Sequence, residues 1–348
     1  MDDRAPRAAT GRAKRGARVT IHDVAKASSV SVTTASQALS GQGRMALATR
    51  ERVKAAAKAL SFRPNAIARA LLKQRSFTIG LLTNDTYGRF TLPVMAGISE
   101  ALVDRGVSVF LCSVERDPVI GQSHVDAMLE KQVDGIIASG KRLDSRLPVD
   151  LSGVDVPVVY AYCEGPEGSV GFVSDDGQGA RLAVAHLVDR GCRRIAHVTG
   201  PEDFAVVHRR AEGFAAALAA AGLAPVRAEP LIGDWSEAWG FAAAGALLEG
   251  PAAPPDAVFC GNDQIARGLI DALTLRGLRV PQDVAVIGFD NWEIFAAATR
   301  PPLTTVDMNL KDLGRHAGLT LLDLVEGRPV SPGIRKLPCR LVVRASSG

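Results

Sequence analysis

Seven short apolar segments that alternate with stretches of helical period constrain the fold of this chain most strongly. Each segment is rich in Val, Ile and Leu, which is the composition of a parallel strand buried on both faces. The stretches at 92–106, 177–191, 209–222 and 262–277 place apolar residues at helical spacing. This alternation predicts an α/β fold that is doubly wound and has parallel sheets. The predicted strands are FTIGLLT (77–83), VSVFLCS (107–113), VDGIIAS (133–139), VPVVYAY (156–162), RRIAHVTG (193–200), DAVFCGN (256–262) and DVAVIGFD (283–290).

The alternating region covers residues 76–348, which is longer than one hydrophobic core normally serves. We therefore expect two lobes of this construction. In open α/β sheets, small molecules bind beyond the carboxyl ends of the strands. Polar residues at those ends are the first candidates for a binding site.

The N-terminal part contains two short helical patterns within TIHDVAKASSVSVTTASQAL (20–39). Thr20 and Asp23 have the spacing of a capping box at the start of the first helix. Residues 28–30 suit a turn, and Ser31 is a favourable N-cap for the second helix. A third helical pattern follows at 47–60. Because three short helices can bury one small core, residues 19–63 are expected to form an all-α miniature domain.

The outward face of the second helix is small, uncharged and rich in hydrogen-bonding groups. It carries Val32, Thr33, Ser36 and Gln37, where a solvated helix would normally carry charges. Such a face suits contact with base edges in the major groove of DNA. The alternative is a satellite helical hairpin with a Ser/Thr-rich surface, and these residues alone do not decide between the two.

The charge of the chain is distributed unevenly. Residues 1–75 contain 16 Lys and Arg but only 4 Asp and Glu, whereas the remainder contains 25 basic and 33 acidic residues. A basic N-terminal part on an acidic body is typical of nucleic-acid binding. Residues 1–18 are expected to be a disordered basic arm, because they are Ala/Arg-rich and lack an apolar stretch.

Several other classes of protein are disfavoured. The five cysteines are widely scattered and lack C-x-x-C spacing, which favours a reducing cytoplasm over a disulfide framework or a zinc site. No apolar run is long enough to span a membrane, and no signal peptide is recognisable. We find no motif for a metal, a cofactor or a catalytic nucleophile, so none of these is expected.

Almost the whole chain, from residue 19 to about residue 344, resembles the LacI/GalR (lactose-repressor-type) family of transcriptional regulators. The resemblance rests on VTIHDVAKASSVSVTTASQAL, on TRERVKAAAKALSFRPNAIARALLKQRSFTIGLL, on GND at 261–263 and on IGFDN at 287–291. It implies a helix-turn-helix headpiece at 19–63, a hinge helix at 64–75 and a body at 76–348 that resembles periplasmic sugar-binding proteins. It also implies a homodimer on a two-fold-symmetric double-stranded DNA operator.

The resemblance assigns residues to DNA contact. Leu71 aligns with the leucine that, in this family, inserts into the minor groove. Such an insertion unstacks a base step and bends the duplex, which allows more contacts with the protein. The alternative is that Leu71 packs against the body. Gln37 stands where arginine is usual, and glutamine suits adenine whereas arginine suits guanine. Ser29 replaces a glycine that is common in the turn. The full predicted set is Thr20, Ser31, Val32, Thr33, Thr34, Gln37, Arg44, Arg50, Asn65, Ala68, Arg69 and Leu71.

The resemblance and the strand ends together predict an effector site. Arg210 and Asp290 lie in the best-matching motifs, and amide and carboxylate groups at strand ends suit the hydroxyls of a sugar or related polyol. The alternatives are that Asp263 only caps a helix and that Trp235 belongs to a lobe core. The predicted effector-binding residues are Asn84, Asp85, Phe90, Tyr162, Arg210, Trp235, Asn262 and Asp290.

The sequence therefore predicts a cytoplasmic, dimeric transcriptional regulator whose operator affinity responds to a small, sugar-like molecule. A repressor is favoured, and the resemblance implies induction as the commoner effect of the ligand. The alternative is a sugar-binding protein or an enzyme of the same body fold without sequence-specific DNA binding. The basic three-helix segment argues against that alternative.

Overall fold

The chain divides into two compact units at the boundary between Arg75 and Ser76. The computed structural model describes residues 19–41, 43–63, 75–114, 117–249 and 253–348. The first unit contains helices α1 (Ile21–Ala27), α2 (Val32–Ser40) and α3 (Leu47–Ala59). These helices are too short to be stable alone, and they bury one shared core that consists of Val24, Ala25, Ala35, Ala38, Val53 and Ala57.

The second unit has two lobes, each built on a six-stranded sheet. All strands of the first sheet run parallel, in the order β11-β5-β4-β3-β1-β2. Helix α11, although late in the chain, packs on α4 and on strands of this sheet. The elements of this lobe are β1 (Thr78–Thr83), α4 (Thr91–Leu102), β2 (Ser108–Ser113), α5 (Pro118–Glu130), β3 (Gly135–Ser139), β4 (Val158–Ala161), β5 (Val170–Ser174), α11 (Leu310–Val325) and β11 (Gly333–Leu337), with a 3-10 turn at Val103–Arg105.

The sheet of the second lobe has the order β12-β10-β9-β8-β6-β7. Its strands are parallel except β12, which pairs antiparallel with β10 at the edge. The elements of this lobe are α6 (Asp176–Asp189), β6 (Ile195–Thr199), α7 (Ala205–Ala220), β7 (Leu231–Ile232), α8 (Glu237–Leu248), β8 (Ala257–Cys260), α9 (Asp263–Leu275), β9 (Ala285–Asp290), α10 (Glu293–Ala296), β10 (Thr304–Asp307) and β12 (Arg340–Val342).

The chain passes between the lobes three times, after β5, after β10 and after β11. All seven strands predicted from apolar runs are present, and the predicted α/β fold with parallel sheets is confirmed. Five further strands, β5, β7, β10, β11 and β12, are not marked by the apolar runs of the sequence. The strands β7 and β12 have only two and three residues, and β11 carries the adjacent charged residues Arg335 and Lys336 at an exposed edge, so no continuous apolar run marks them.

Helices α4 and α11 cross at a pair of glycines. A Cβ at Gly97 would lie 1.8 Å from the carbonyl oxygen of Lys311, and one at Gly314 would lie 2.0 Å from that of Val94. Only glycine therefore permits this approach of the two backbones. The contact fixes α11 on the first lobe, even though its neighbours in sequence belong to the second lobe.

All five cysteines are free thiols, and four of them are buried. Within the described ranges, no cluster of potential metal ligands occurs. No helix in the same part of the chain is long and apolar enough to cross a lipid bilayer.

Candidate DNA-binding surface and effector site

Local interactions define the start of each headpiece helix. The Asp23 carboxylate accepts hydrogen bonds from the backbone N–H of Thr20 at 2.8 Å and from its hydroxyl at 2.7 Å. This arrangement is the predicted capping box. The hydroxyl oxygen of Ser31 accepts the backbone N–H of Thr34 at 3.1 Å, as predicted for an N-cap. The Ser31 and Thr34 hydroxyls also bind each other at 2.8 Å, so both are positioned by the cap.

The outward face of α2 is as polar as its sequence suggested. Thr33, Ser36 and Gln37 are exposed, whereas Val32 is half-buried and packs against the headpiece core. The face therefore presents hydroxyl and amide groups without charge. Such groups can bind base edges in the major groove.

Two residues near α2 have left-handed backbone conformations. Ser29 has a φ of 52°, so the turn does use the conformation that glycine adopts more readily. Gly43 has a φ of 80°, and a Cβ there would lie 2.7 Å from Oε1 of Gln37. The backbone at Gly43 thus lies directly against the Gln37 side chain and limits its orientations.

The predicted phosphate contacts differ in their surroundings. Arg44 is exposed. Arg50 is half-buried and donates to the carbonyl oxygen of Gly43 at 3.2 Å, so it also holds the loop that contacts Gln37. The hinge residues Asn65, Ala68, Arg69 and Leu71 lie outside the described residues.

In the second unit, a cavity of about 280 Å³ lies between the two lobes. Six of the eight predicted effector-binding residues line it: Phe90, Tyr162, Arg210, Trp235, Asn262 and Asp290. They come from both lobes, and all except Arg210, which lies within α7, are at strand ends or in segments that follow them, where parallel sheets usually bind ligands. The other lining residues were not predicted from the sequence; they are Arg89, Lys141, Arg142, Phe204 and Val206.

The side chains of Asn84 and Asp85 are not part of the cavity lining. The amide oxygen of Asn84 accepts the backbone N–H of Lys141 at 3.1 Å. Asp85 accepts the N–H groups of Phe90 and Thr91 at 2.7 and 2.9 Å, at the start of α4. These two side chains therefore hold the loops that carry Phe90 and Lys141.

A buried polar network forms the floor of the cavity on the second lobe. The Arg210 guanidinium donates to Asp176 at 2.6 and 2.8 Å and to the Gly261 carbonyl at 2.5 Å. It lies 3.7 Å from the Asp290 carboxylate and 3.6 Å above the centre of the Phe289 ring. Because both Arg210 and Asp176 are almost fully buried, each stabilises the other's charge in a site that excludes water. Burial nevertheless raises the pKa of Asp176.

Arg89 reaches from the first lobe across the cavity to the second. Its guanidinium pairs with the Asp290 carboxylate and donates to the side-chain oxygen of Gln264 at 2.9 Å. It lies 5.3 Å from the Phe90 ring centre and 5.4 Å from that of Trp292. Burial lowers the pKa of Arg89. The Asp290 carboxylate therefore faces two arginines, one from each lobe.

Tyr162 and Asp290 both have left-handed backbones, with φ values of 54° and 105°. Non-glycine residues rarely adopt this conformation, and such strain concentrates at functional sites. Each of the two follows or ends a strand, β4 and β9 respectively. The turns direct both side chains into the cavity.

Two aromatic pairs form the apolar walls. Phe90 stacks on Tyr162 from the first lobe, with ring centres 5.6 Å apart. Phe204 meets Trp235 edge-to-face from the second lobe, at 5.5 Å. A Cβ at Gly200 would lie 2.3 Å from the Trp235 ring, so the Gly200 backbone supports this wall directly. Trp235 also packs against the lobe core, as the alternative interpretation of this residue expected, while effector binding by Trp235 stays a prediction.

Asn262, and not Asp263, is the N-cap of α9, because its side-chain oxygen accepts the N–H of Ile265 at 2.7 Å. Asp263 is completely buried and accepts the Trp292 N–H at 2.8 Å and the Thr305 hydroxyl. Burial raises the pKa of Asp263 to about 6. Asp263 therefore organises the floor behind Asp290 without lining the cavity.

A second contact joins the lobes through Arg142 and Asp144, and we name it the Arg142 clasp. The Arg142 guanidinium donates to the Asp203 side chain and carbonyl at 3.0 and 2.7 Å and lies 3.7 Å above the Phe204 ring centre. It also binds Asp144, whose carboxylate accepts the Ala205 N–H at 2.7 Å at the start of α7. The clasp connects the loop after β3 to the first turn of α7.

Two family models match the sequence. One, described as bacterial regulatory proteins of the lacI family, covers residues 20–65. The other, described as a periplasmic binding protein-like domain, covers residues 184–347. The first match contains the three-helix unit, and the second contains most of the lobe that supplies Arg210 and Asp290.

Characterised proteins resemble nearly the whole chain. The HTH-type transcriptional repressor CytR of Escherichia coli (strain K12) is 32% identical over 329 residues, which cover 94% of this chain and 96% of CytR. The structure of the lac repressor dimer bound to operator and the anti-inducer ONPF superposes with a TM-score of 0.70, at 31% identity, and the match covers 95% of this chain and 99% of that one. The complex of the transcriptional regulator CelR with cellobiose gives a TM-score of 0.65, at 31% identity, covering 94% and 100% of the two chains.

Proposed function

Because this chain belongs to the LacI family of bacterial regulatory proteins, we propose that the exposed face of α2 reads an operator and that the cavity between the lobes binds the controlling effector. The chain is a DNA-binding transcriptional repressor and not an enzyme. Its partners are a DNA operator, a small-molecule effector and a second copy of itself. The assignment of individual residues to these partners is our proposal.

The observation that supports the operator proposal most strongly is the composition of the α2 surface. Thr33, Ser36 and Gln37 are exposed, uncharged and held on a helix whose other face is the headpiece core. Gln37 would bind an adenine through its N6 and N7 groups. Arg44 and Arg50 would contact phosphates and position the headpiece without reading sequence.

The hinge, residues 64–75, would fold between the headpiece and the body when two copies meet on DNA. A segment of this length is too short to be a stable helix by itself. Leu71 would then enter the minor groove at the operator centre, in the manner of side chains that kink DNA. This proposal rests on sequence resemblance at Asn65, Ala68, Arg69 and Leu71.

The effector would be a single-ring, sugar-like molecule bound between the aromatic pairs. The lac repressor and CelR structures contain ONPF and cellobiose respectively. A ligand that binds one arrangement of the lobes better than the other changes operator affinity by linkage, typically by about 1–3 kcal/mol. We also propose a cytoplasmic location, which the free cysteines and the DNA target support.

Selection of DNA sites from a genomic pool, at one fixed salt concentration, tests the operator proposal. We expect the full-length protein to select a two-fold-symmetric site. Gln37→Arg should change the preferred base at one position of each half-site toward guanine, since arginine reads guanine with two hydrogen bonds. Gln282→Arg is the matched control, because it adds the same charge at an exposed position of the body.

Two results would contradict this proposal. One is recovery of only general, salt-sensitive DNA binding, with and without added sugars. The other is an identical selected sequence for wild type and Gln37→Arg, which would show that Gln37 does not read a base.

A further inference from the structure

We propose that the effector carries an anionic group, a phosphate or a carboxylate, that binds Lys141 at the first-lobe side of the cavity. This inference rests on the proposed effector site and specifies the chemical class of its ligand. It departs from the neutral sugar or polyol that the sequence suggested, because the cavity offers many hydrogen-bond donors and few acceptors.

The charged groups of the lining are mostly cations. Arg89, Lys141, Arg142 and Arg210 line the cavity, whereas Asp290 is its one acidic residue. Arginine and lysine side chains have donors and no acceptors. A ligand forms the most hydrogen bonds with this lining if its own groups are hydrogen-bond acceptors.

The side-chain acceptors of the lining, Asp290 and Asn262, are already engaged by the protein, although Oδ2 of Asp176 in the cavity floor has no hydrogen-bond partner among the described residues. The Asp290 carboxylate pairs with Arg89 and lies 3.7 Å from Arg210. The side-chain oxygen of Asn262 accepts the N–H of Ile265. Each hydroxyl of a neutral polyol has a proton to donate, so a polyol must share the remaining lone pairs of Asp290 and the few other acceptors of the lining. A phosphate or carboxylate group on the ligand adds acceptors without adding a donor, and it can accept hydrogen bonds from the cationic side chains of the lining.

Pairing each arginine with its acids leaves Lys141 as the uncompensated cation. Arg210 has Asp176, Arg89 has Asp290, and Arg142 has Asp144 and Asp203. Within the described part of the chain, no carboxylate lies within ion-pair distance of the Lys141 ammonium group. The backbone of Lys141 is held by Asn84, while its side chain is exposed at the rim. A charged ligand group can therefore reach it without breaking an existing ion pair.

The size and the walls of the cavity restrict the rest of the ligand. A volume of about 280 Å³ is at the small end for ligand pockets, which favours one ring over two. The Phe90–Tyr162 and Phe204–Trp235 pairs supply apolar faces for that ring. The combination fits a monosaccharide phosphate or a sugar acid.

Calorimetric titration of the full-length protein with matched compounds tests the inference at constant ionic strength. The probes are glucose, glucose 6-phosphate and glucuronate, then ribose and ribose 5-phosphate, and finally inorganic phosphate. We expect at least one phosphate or carboxylate compound to bind about tenfold or more tighter than its neutral partner, because charge-assisted hydrogen bonds are strong. The titrations with sugar phosphates and with glucuronate distinguish a phosphate ligand from a carboxylate ligand.

The variant Lys141→Gln removes the charge and keeps a polar side chain that is one atom shorter. It should reduce that preference, and the binding of inorganic phosphate, by about tenfold. Lys336→Gln removes an exposed lysine outside the cavity and should change neither. The inference is wrong if neutral sugars bind as tightly as their anionic partners, or if no anion binds in a Lys141-dependent manner.

The same protein preparations are used for DNA-site selection, so the two proposals can fail separately. A selected operator together with a neutral-sugar preference would overturn only the anionic class of effector. Failure to select any operator would overturn the proposed function itself.

Discussion

The two sides of the effector cavity are built differently. On the second lobe, Arg210 and Asp176 are almost fully buried and bind each other and the backbone of Gly261. On the first lobe, Lys141 and Arg142 lie on a loop and remain partly exposed. One side is a fixed network inside a lobe, and the other consists of long side chains that reach outward.

This difference indicates where rigidity and movement reside. A buried pair cannot separate without leaving a charge in a low-dielectric site, so the second-lobe side should keep its shape in every state. The Arg142 clasp and Arg89 bind across the gap between the lobes, so their contacts can form and break as the lobes move. Three variants test this comparison, from the largest expected effect to the smallest.

Arg210→Met should destabilise the protein by about 3–5 kcal/mol, since it leaves the fully buried Asp176 without a partner. Urea unfolding measures the free energy. The control is Arg279→Met, which removes an exposed pair with Asp283 and should have little effect. Equal losses for both variants would show that the Arg210 network is not the rigid element that we describe.

His197→Leu should change the pH dependence of stability. Burial lowers the pKa of His197 to about 4, from an ordinary value of 6.5, and the ring is stacked on Phe214 and Phe259. The native state therefore binds fewer protons than the unfolded chain between pH 6.5 and 4. Stability is complete above pH 6.5 and falls by about 3 kcal/mol as the pH drops to 4. The free energy of unfolding of His197→Leu should not show this decrease between pH 6.5 and 4.

Free energies of unfolding measured from pH 4 to 7 give the difference between wild type and variant. Asp263→Asn provides a control of opposite sign. The pKa of Asp263 is raised to about 6, so its contribution to stability decreases as the pH rises from about 4 to 6. The prediction for His197 would be contradicted if the free energies of unfolding of wild type and His197→Leu differed by the same amount at every pH.

Arg142→Ala should change global stability by only about 1 kcal/mol or less, because the side chain is a quarter exposed. It should, however, shift the lobes toward an open arrangement, which small-angle scattering would detect as a larger radius of gyration. Arg146→Ala is the control, since its exposed pair with Glu164 lies within the first lobe. An unchanged radius for Arg142→Ala would mean that the clasp does not hold the lobes together.

Sequence patterns predicted the headpiece more completely than the cavity. The capping box at Thr20 and Asp23, the N-cap at Ser31 and the exposed face with Thr33 and Gln37 all depend on residues within a few positions of one another. Helical periodicity reports such relationships directly. Residues 64–74 lie outside the described residues, so the role of Leu71 stays a prediction.

The predicted cavity residues were those at strand ends or in recognisable motifs, such as Tyr162, Asn262 and Asp290. Arg89 and Arg142 had no such signal, because an arginine in a loop usually indicates a solvated surface. Their importance arises from partners far away in sequence: Asp290 lies 201 positions from Arg89, and Asp203 lies 61 positions from Arg142. Asn84 and Asp85 follow the end of a strand, as the other predicted residues do, but their side chains bind backbone N–H groups of nearby loops.

The sequence by itself determined the α/β architecture, the three-helix headpiece and the separation of a basic N-terminal part from an acidic body, since these follow from local periodicity and composition. Which cations meet which carboxylates depends on contacts between residues far apart in sequence, and these contacts pair Arg89 and Arg210 with acids and provide none for Lys141 among the described residues. The physical reason is that the free energy of a buried charge depends on its three-dimensional neighbours.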